Sequence, residues 1–481
     1  MPDNAESESP ESDSPSRSRS SKTISSSYQA TRVQEISKRH IQPAIRSSPS
    51  LIYQPNSPLG SAGCATILLN IDVRRVHHYA TTVLWPGFGH HILSTNETLT
   101  SAFFRLSVTD ELLLNSFVWT AALEMSLHHD SSPGSGPRNN NKANAVMLSC
   151  QNKAVKSVRE HIDAGTVTDA VIFAVLALTI SETDPTIVAH NQDRHKCCFG
   201  GFDPGFRSLG WLDYFSYFRW AETHISALKR LVAARGGLDN ITTPGIAEQV
   251  QSTDILQSSL TMTRPNFALG PLYRHVLEHQ VKMVRPPRER AAVFGGVDDD
   301  LKDLLLDMRM YCCLIQSSSD ERHVQNLATS WETNVYRNLI QFQLLSLPTM
   351  QGEAELCRLA ALAFSYGVIY PLACHGPLES LVKQLKGVFE DDTTSISKPS
   401  EFLLWVAVMG AMAASHTRDD VFFIDMLKMQ LKRREVASFD QLKKVMSKFL
   451  WLGAACDRGA RRPWKQVCNV NESSFETGLR R

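Results

Sequence analysis

Two stretches of this sequence are apolar at nearly every position: Asp169-Ala-Val-Ile-Phe-Ala-Val-Leu-Ala-Leu178 and Phe402-Leu-Leu-Trp-Val-Ala-Val-Met-Gly-Ala-Met-Ala-Ala414. A helix written this way has no face to offer water, so it belongs in the middle of a core with other helices around it. Neither run reaches the roughly 18 apolar residues needed to span a bilayer. No stretch of useful length alternates polar and apolar residues as a half-buried strand would. The predicted fold is all-α: a single large domain of packed antiparallel helices over 63–470. A serine-rich, disordered tail is expected over 1–62 and a short C-terminal tail over 471–481.

The tail prediction rests on composition. Fifteen of the first fifty residues are serine, and early acids (Asp3, Glu6, Glu8, Glu11, Asp13) give way to bases (Arg17, Arg19, Lys22, Arg32). Such a segment buries too little apolar area to offset the entropy of ordering it. It has neither the basic start nor the apolar middle of a secretory signal, which points to an intracellular protein. Over the whole chain a formal net charge of +1 gives no electrostatic bias towards nucleic acid or anionic membrane. Ten scattered cysteines form no Cys-x-x-Cys pair and read as small buried apolar residues.

From Leu68 onward the periodicity predicts helices over Val73–Leu84, Leu106–His128, Lys142–Ile162 and the apolar run 169–178, with Thr166 and Asp169 as a capping pair. Asp130–Asn141 and Thr183–Leu212 read as irregular segments. Between Trp220 and Phe267 a helical hairpin is expected. In its first arm Ile225, Leu228, Leu231 and Val232 recur at helical intervals, and Gly236-Gly237 ends it. The second arm carries Ile246, Val250, Thr253 and Ile255, and is predicted to stop at Pro265. Arg235 and Asp254 are placed to pair across this hairpin, with His224 packed in its interface. Further helices are expected over 301–315, 323–345, 352–370, 377–389 and 402–414. A capping box at Ser438 and Gln441 opens another, lined by Leu442, Val445, Met446, Phe449 and Leu450.

Three blocks carry a family resemblance. They are the apolar run from Asp169, the stretch His224, Leu228, Arg235-Gly236-Gly237, Asp254 and Arg264-Pro265-Asn266-Phe267, and the C-terminal order Trp405, Phe422-Phe423, Phe449-Leu-Trp451, Trp464. Together they resemble the fungal-specific transcription factor domain, the helical regulatory region that usually follows a zinc-cluster DNA-binding module. The resemblance implies control of transcription in the nucleus, through contacts with other regulators or with itself. The zinc cluster of that family needs six cysteines in a short N-terminal segment. Here the first is Cys64 and the next Cys150. Direct DNA reading is therefore not expected of this chain, unless a cysteine-rich exon lies upstream.

The chemistry-bearing motifs are few. His77-His78, His90-His91 and His128-His129 are doublets whose side chains diverge by about 100° on a helix, so a surface role is expected of them and not a metal site. His195-Lys-Cys-Cys198 and Cys374-His375 lack partners at metal-ligand spacing. No nucleophile elbow, phosphate loop or dinucleotide fingerprint occurs. No catalytic residue, metal or cofactor is assigned; Trp405, Trp451 and Trp464 are read as core or face anchors. A helical assembly of this kind leaves room for a pocket that senses a small apolar effector. The alternatives are an enzyme using the histidine doublets and a cytoplasmic helical scaffold.

Overall fold

At Ser61 the hydroxyl accepts from the backbone N–H of Cys64 and caps α1 (Ala62–Leu68), so ordered helix begins ahead of Leu68. This computed structural model describes residues 61–478, apart from 89–90, 93–96, 130–136, 181–199, 206, 208, 217, 219, 285–293, 295–296, 317–330, 373–375 and 392–399. The serine-rich tail up to residue 60, His90, the His195–Cys198 cluster and Cys374-His375 lie outside the described residues.

Asn70 caps α2 (Ile71–Tyr79) by accepting from the N–H groups of Asp72 and Val73. The helix runs on through a π-helical turn, Ala80–Leu84, into a short turn, Trp85–Phe88. A two-residue antiparallel ladder pairs His91 with Thr98 and Ile92 with Glu97, and is the one sheet among the described residues. Next come α3 (Leu99–Thr109) and α4 (Glu111–His129), where a single helix from Leu106 was predicted. Asp110 separates them: its backbone is extended and its carboxylate accepts from Leu113 N–H, capping α4.

Packed along α4 is α5 (Pro137–Asp163), which starts inside the predicted loop. Thr168, not Thr166, caps α6 (Asp169–Leu178), accepting from Val171 N–H at 3.2 Å. Thr166 instead donates to the carbonyl of His161, closing the end of α5. Helix α6 meets α4, α5, α7 (Glu222–Ala234) and α8 (Ile246–Thr261), and all of its residues but Ala170 are buried, as an all-round apolar helix requires.

Where α7 ends, Gly236 N–H donates to Ala233 O and Gly237 N–H to Val232 O, each at 2.9 Å. Both glycines have φ near +90°, so this is a Schellman cap that side-chain-bearing residues resist. Helix α8 stops earlier than Pro265. Met262 takes the left-handed conformation (φ 54°), and Thr263 N–H returns to Ser258 O at 3.0 Å. Pro265 sits beyond that stop, where it cannot be what ends the helix.

The remaining helices are α9 (Pro271–Val284), α10 (Asp299–Gln316), α11 (Trp331–Ser346), α12 (Gly352–Phe364), α13 (Gly376–Asp391), α14 (Glu401–Ala413), α15 (Asp420–Arg433), α16 (Phe439–Met446) and α17 (Gly453–Gly478). The last of these continues through residues predicted to be tail. Ser438 and Gln441 form the predicted capping box. Helix α14 is held by α12, α13, α15 and α17, with every residue from Phe402 to Ala413 buried. Trp405 is fully enclosed there, stacked on Phe449 at 5.5 Å, with its Nε1 donating to Leu450 O. Each large apolar side chain so buried contributes about 1.5–3 kcal/mol. Trp451 donates to Asp457 Oδ1 at 2.9 Å, and Trp464 meets the Phe439 ring edge-on at 6.1 Å. Both are partly exposed anchors of the α16–α17 corner. Among the described residues no helix is long and apolar enough to cross a membrane.

Candidate functional site

Where α3, α4, α6, α8 and α11 approach one another, the side chains do not fill the space. They leave a cavity of about 110 Å³. Its apolar wall comes from Trp85, Phe103, Phe117 and Phe173, which touch ring to ring at centroid distances of 4.6–5.8 Å. Leu176 and Ala177 extend that wall from α6, three and four residues on from Phe173, and Ile180 joins them just past the helix end. Phe215 and Trp220 come in from the segment leading to α7.

The opposite wall is polar. Helix α8 presents Gln249, Ser252 and Thr253, and α11 presents Asn334, Arg337 and Asn338. On α11 the spacing Asn334, Arg337, Asn338, Gln341 puts four polar side chains on one face, and all four are buried. Burial is tolerated because most of their groups are paired. Asn338 Nδ2 donates to Tyr273 Oη at 3.0 Å, and Ser252 Oγ lies 2.9 Å from the same hydroxyl. Gln341 Nε2 donates to Ser259 Oγ at 3.1 Å and its Oε1 accepts from Ser365 Oγ at 2.7 Å. Asn334 Nδ2 donates to Phe88 O at 2.9 Å, tying α11 to the turn after α2.

Arg337 is the exception in this seam. It is 2% exposed and makes no ion pair with any described residue. Its Nη2 donates to Leu209 O (2.9 Å) and Asn334 Oδ1 (2.8 Å), and its charge lies 5.2 Å from the centre of the Tyr370 ring. Nε and Nη1 have no acceptor among the described residues. Burial lowers the pKa of this guanidinium below its usual value, opposed by the nearby Tyr311, Tyr370, Tyr273 and Asp213. An arginine nonetheless stays charged, so a cation is held here in a low-dielectric wall. Among the described residues the buried donor Nε1 of Trp220 finds no acceptor, and the buried acceptor Oδ1 of Asn338 finds no donor. Beside them Trp211 holds the left-handed conformation (φ 58°), which costs an L-residue about 1–2 kcal/mol. Its Nε1 donates to Leu84 O at 2.9 Å, which helps to fix it.

Of the three blocks that carry the family resemblance, the run from Asp169 supplies Phe173, Leu176 and Ala177 to the cavity, and the named residues of the other two lie elsewhere. Leu228 is core, and Gly236-Gly237 is the cap described above. Arg235 does not pair with Asp254. Its Nε donates to Asp169 Oδ1 at 2.9 Å, while Asp169 Oδ2 accepts from Thr242 N (2.9 Å) and Thr243 N (2.8 Å). Asp254 faces the other way, accepting from Asn266 N, Asn266 Nδ2 and Phe267 N at 2.7–3.0 Å. It thereby holds the Arg264–Phe267 turn in which Pro265 sits. Burial raises the pKa of Asp254 against these donors, whereas in Asp169 the donors from Thr243 and Arg235 prevail over burial and lower it. His224 is half-buried in α7, and its Nδ1 has no partner among the described residues.

His77 is not a surface residue. It is 7% exposed, with Nε2 2.8 Å from Ser107 Oγ and its ring edge-on to Trp85. Burial, aided by the neighbouring His78, lowers its pKa from 6.5 to about 4. His78 is exposed, and His128 and His129 occupy the last turn of α4. Among the described residues no three His, Cys, Asp or Glu side chains gather as metal ligands would. Cys64, Cys150, Cys312, Cys357 and Cys456 are buried and free, and burial pushes the Cys150 thiol up to about 11. No family model, curated protein or solved structure matches this chain.

Proposed function

We propose that this chain is a helical regulator of transcription of the fungal transcription factor type, acting in the nucleus through protein–protein contacts and responding to a small molecule held in the cavity. The observation that carries the reading is where the cavity lies. The N-terminal helices, the α7–α8 hairpin and α11 each supply part of its wall. A guest there makes contacts with all three, so it favours whichever relative packing gives it the most contact area. Among the described residues the lining includes no histidine, cysteine or carboxylate, which suits holding a guest better than acid–base or nucleophilic chemistry on it. The regulatory part of the proposal rests on the three sequence blocks that resemble the family.

The test is to fuse the full chain to an unrelated DNA-binding domain and follow a reporter gene placed beneath that domain's site. A rise or fall of several-fold over the DNA-binding domain alone is expected. An unchanged reporter, with the fusion present in the nucleus at normal levels, would count against regulation and in favour of a scaffold outside transcription.

A further inference from the structure

We propose that the cavity is a site for a small apolar monocarboxylate, with Arg337 as the anchor for its carboxylate; this rests on the reading of the cavity as an effector site and names the class of effector. The unpaired cation selects the sign of the ligand. Of the five guanidinium N–H groups, the two on Nη2 are taken by Leu209 O and Asn334 Oδ1. Those on Nε and Nη1 have no acceptor among the described residues, although the side chain is 2% exposed. The buried Trp220 Nε1–H, on another wall of the same cavity, also lacks one. A buried cation whose N–H groups go unpaired is costly, and an anion in contact with it removes that cost.

Size and polarity of the remaining walls select the rest of the ligand. A volume of about 110 Å³ is comparable with the ~150 Å³ cavity that admits benzene, so one ring or a short branched chain fills it. The aromatic wall opposite Arg337 suits a flat apolar body better than a sugar or a phosphate ester, whose polar groups would find no partners there. One carboxylate is matched by one cation; a second negative charge would have no counterpart among the described residues of the lining.

Purified full-length chain is titrated with benzoate, benzamide and benzylamine, three probes of one shape and different charge, following tryptophan fluorescence and the melting temperature. Because Trp85 and Trp220 lie in the wall, occupancy alters their emission. Benzoate is expected to bind at least about tenfold more tightly than benzamide, the ratio a charged hydrogen bond supplies, and benzylamine not to bind. Arg337→Gln is expected to bring benzoate down to the level of benzamide, and Arg337→Lys to keep part of the preference. A purely structural arginine would lower the melting temperature in Arg337→Gln while leaving the benzoate-to-benzamide ratio unchanged, and that result overturns the assignment. Should Arg337→Gln not fold, Ala177→Leu decides, since it fills the cavity from α6 with Arg337 in place. Benzoate binding that survives Ala177→Leu, or wild-type chain that binds benzamide as tightly as benzoate or binds neither, also overturns it. A fused chain that moves the reporter yet shows no carboxylate preference refutes this assignment alone, whereas preference for benzoate with a silent reporter refutes only the regulatory reading.

Discussion

At Asp169 one carboxylate ties the start of α6 to the end of α7 and to the turn at Thr242-Thr243. Asp169→Asn keeps the shape but loses the charge that these donors meet. At pH 7 it should lower unfolding free energy in urea by roughly 2–3 kcal/mol, as for a buried group with charge-assisted hydrogen bonds. The carboxyl's folded pKa is depressed, so its stabilisation is present above the unfolded value of about 3.9 and fades as pH falls through the folded one. The wild-type advantage should therefore close below pH 4. His77 works in the opposite range of pH. It is neutral in the fold down to about pH 4 but takes a proton near 6.5 once unfolded, so acid between those values favours unfolding. Between pH 7 and 4.5 this residue should remove roughly 2–3 kcal/mol, and His77→Gln, compared by urea unfolding at the two values, should flatten that loss. Neither role could be read from the sequence. Asp169 resembles any first-turn acid and Arg235 any last-turn base, and only the way α6 crosses α7 puts them 2.9 Å apart.

Among the elements, those whose instructions are local were legible. The all-round apolar helices α6 and α14, the Gly236-Gly237 cap and the Ser438–Gln441 box each need only neighbours in sequence. Helix α11 was not, because a stripe such as Asn334, Arg337, Asn338 and Gln341 has the spacing of a solvated face. Only the hydroxyls brought by α8, α9 and the end of α12 make its burial tolerable. A pocket was expected, but its lining was not legible for the same reason: its charged member has the spacing of surface. The glycine-rich segment read as irregular is likewise fixed by partners distant in sequence. Gly201 N–H donates to Met412 O and Asp203 N–H to Ala455 O, and Phe202 is buried between. A Cβ on Gly459 of α17 would run into the carbonyl of Gly201, a backbone atom that cannot swing aside. Alanine gains up to about 1 kcal/mol in helix propensity, but overpacking against backbone costs about 1–3 kcal/mol or more. Gly459→Ala should thus lower the melting temperature by several degrees in a thermal scan; an unchanged or raised value would show that the strand of chain at 200–203 is not seated as described.

For the whole molecule the consequence lies in how the helical blocks share one incompletely filled junction. Aromatic rings of the N-terminal helices face the polar seam of α8 and α11 across about 110 Å³, so filling that space joins parts of the chain far apart in sequence. Ala177→Leu adds three carbon atoms from the α6 side and should raise the melting temperature, by the 0.5–2 kcal/mol typical of filled cavities. If occupancy of this junction sets the regulatory surface, the same substitution must also change output. The decisive comparison is reporter activity from the full chain fused to an unrelated DNA-binding domain, wild type against Ala177→Leu, at matched protein level. The account predicts that the wild-type fusion shifts the reporter and that the filled variant, folded and more stable, shifts it to a different level. Identical output from the two fusions would contradict it.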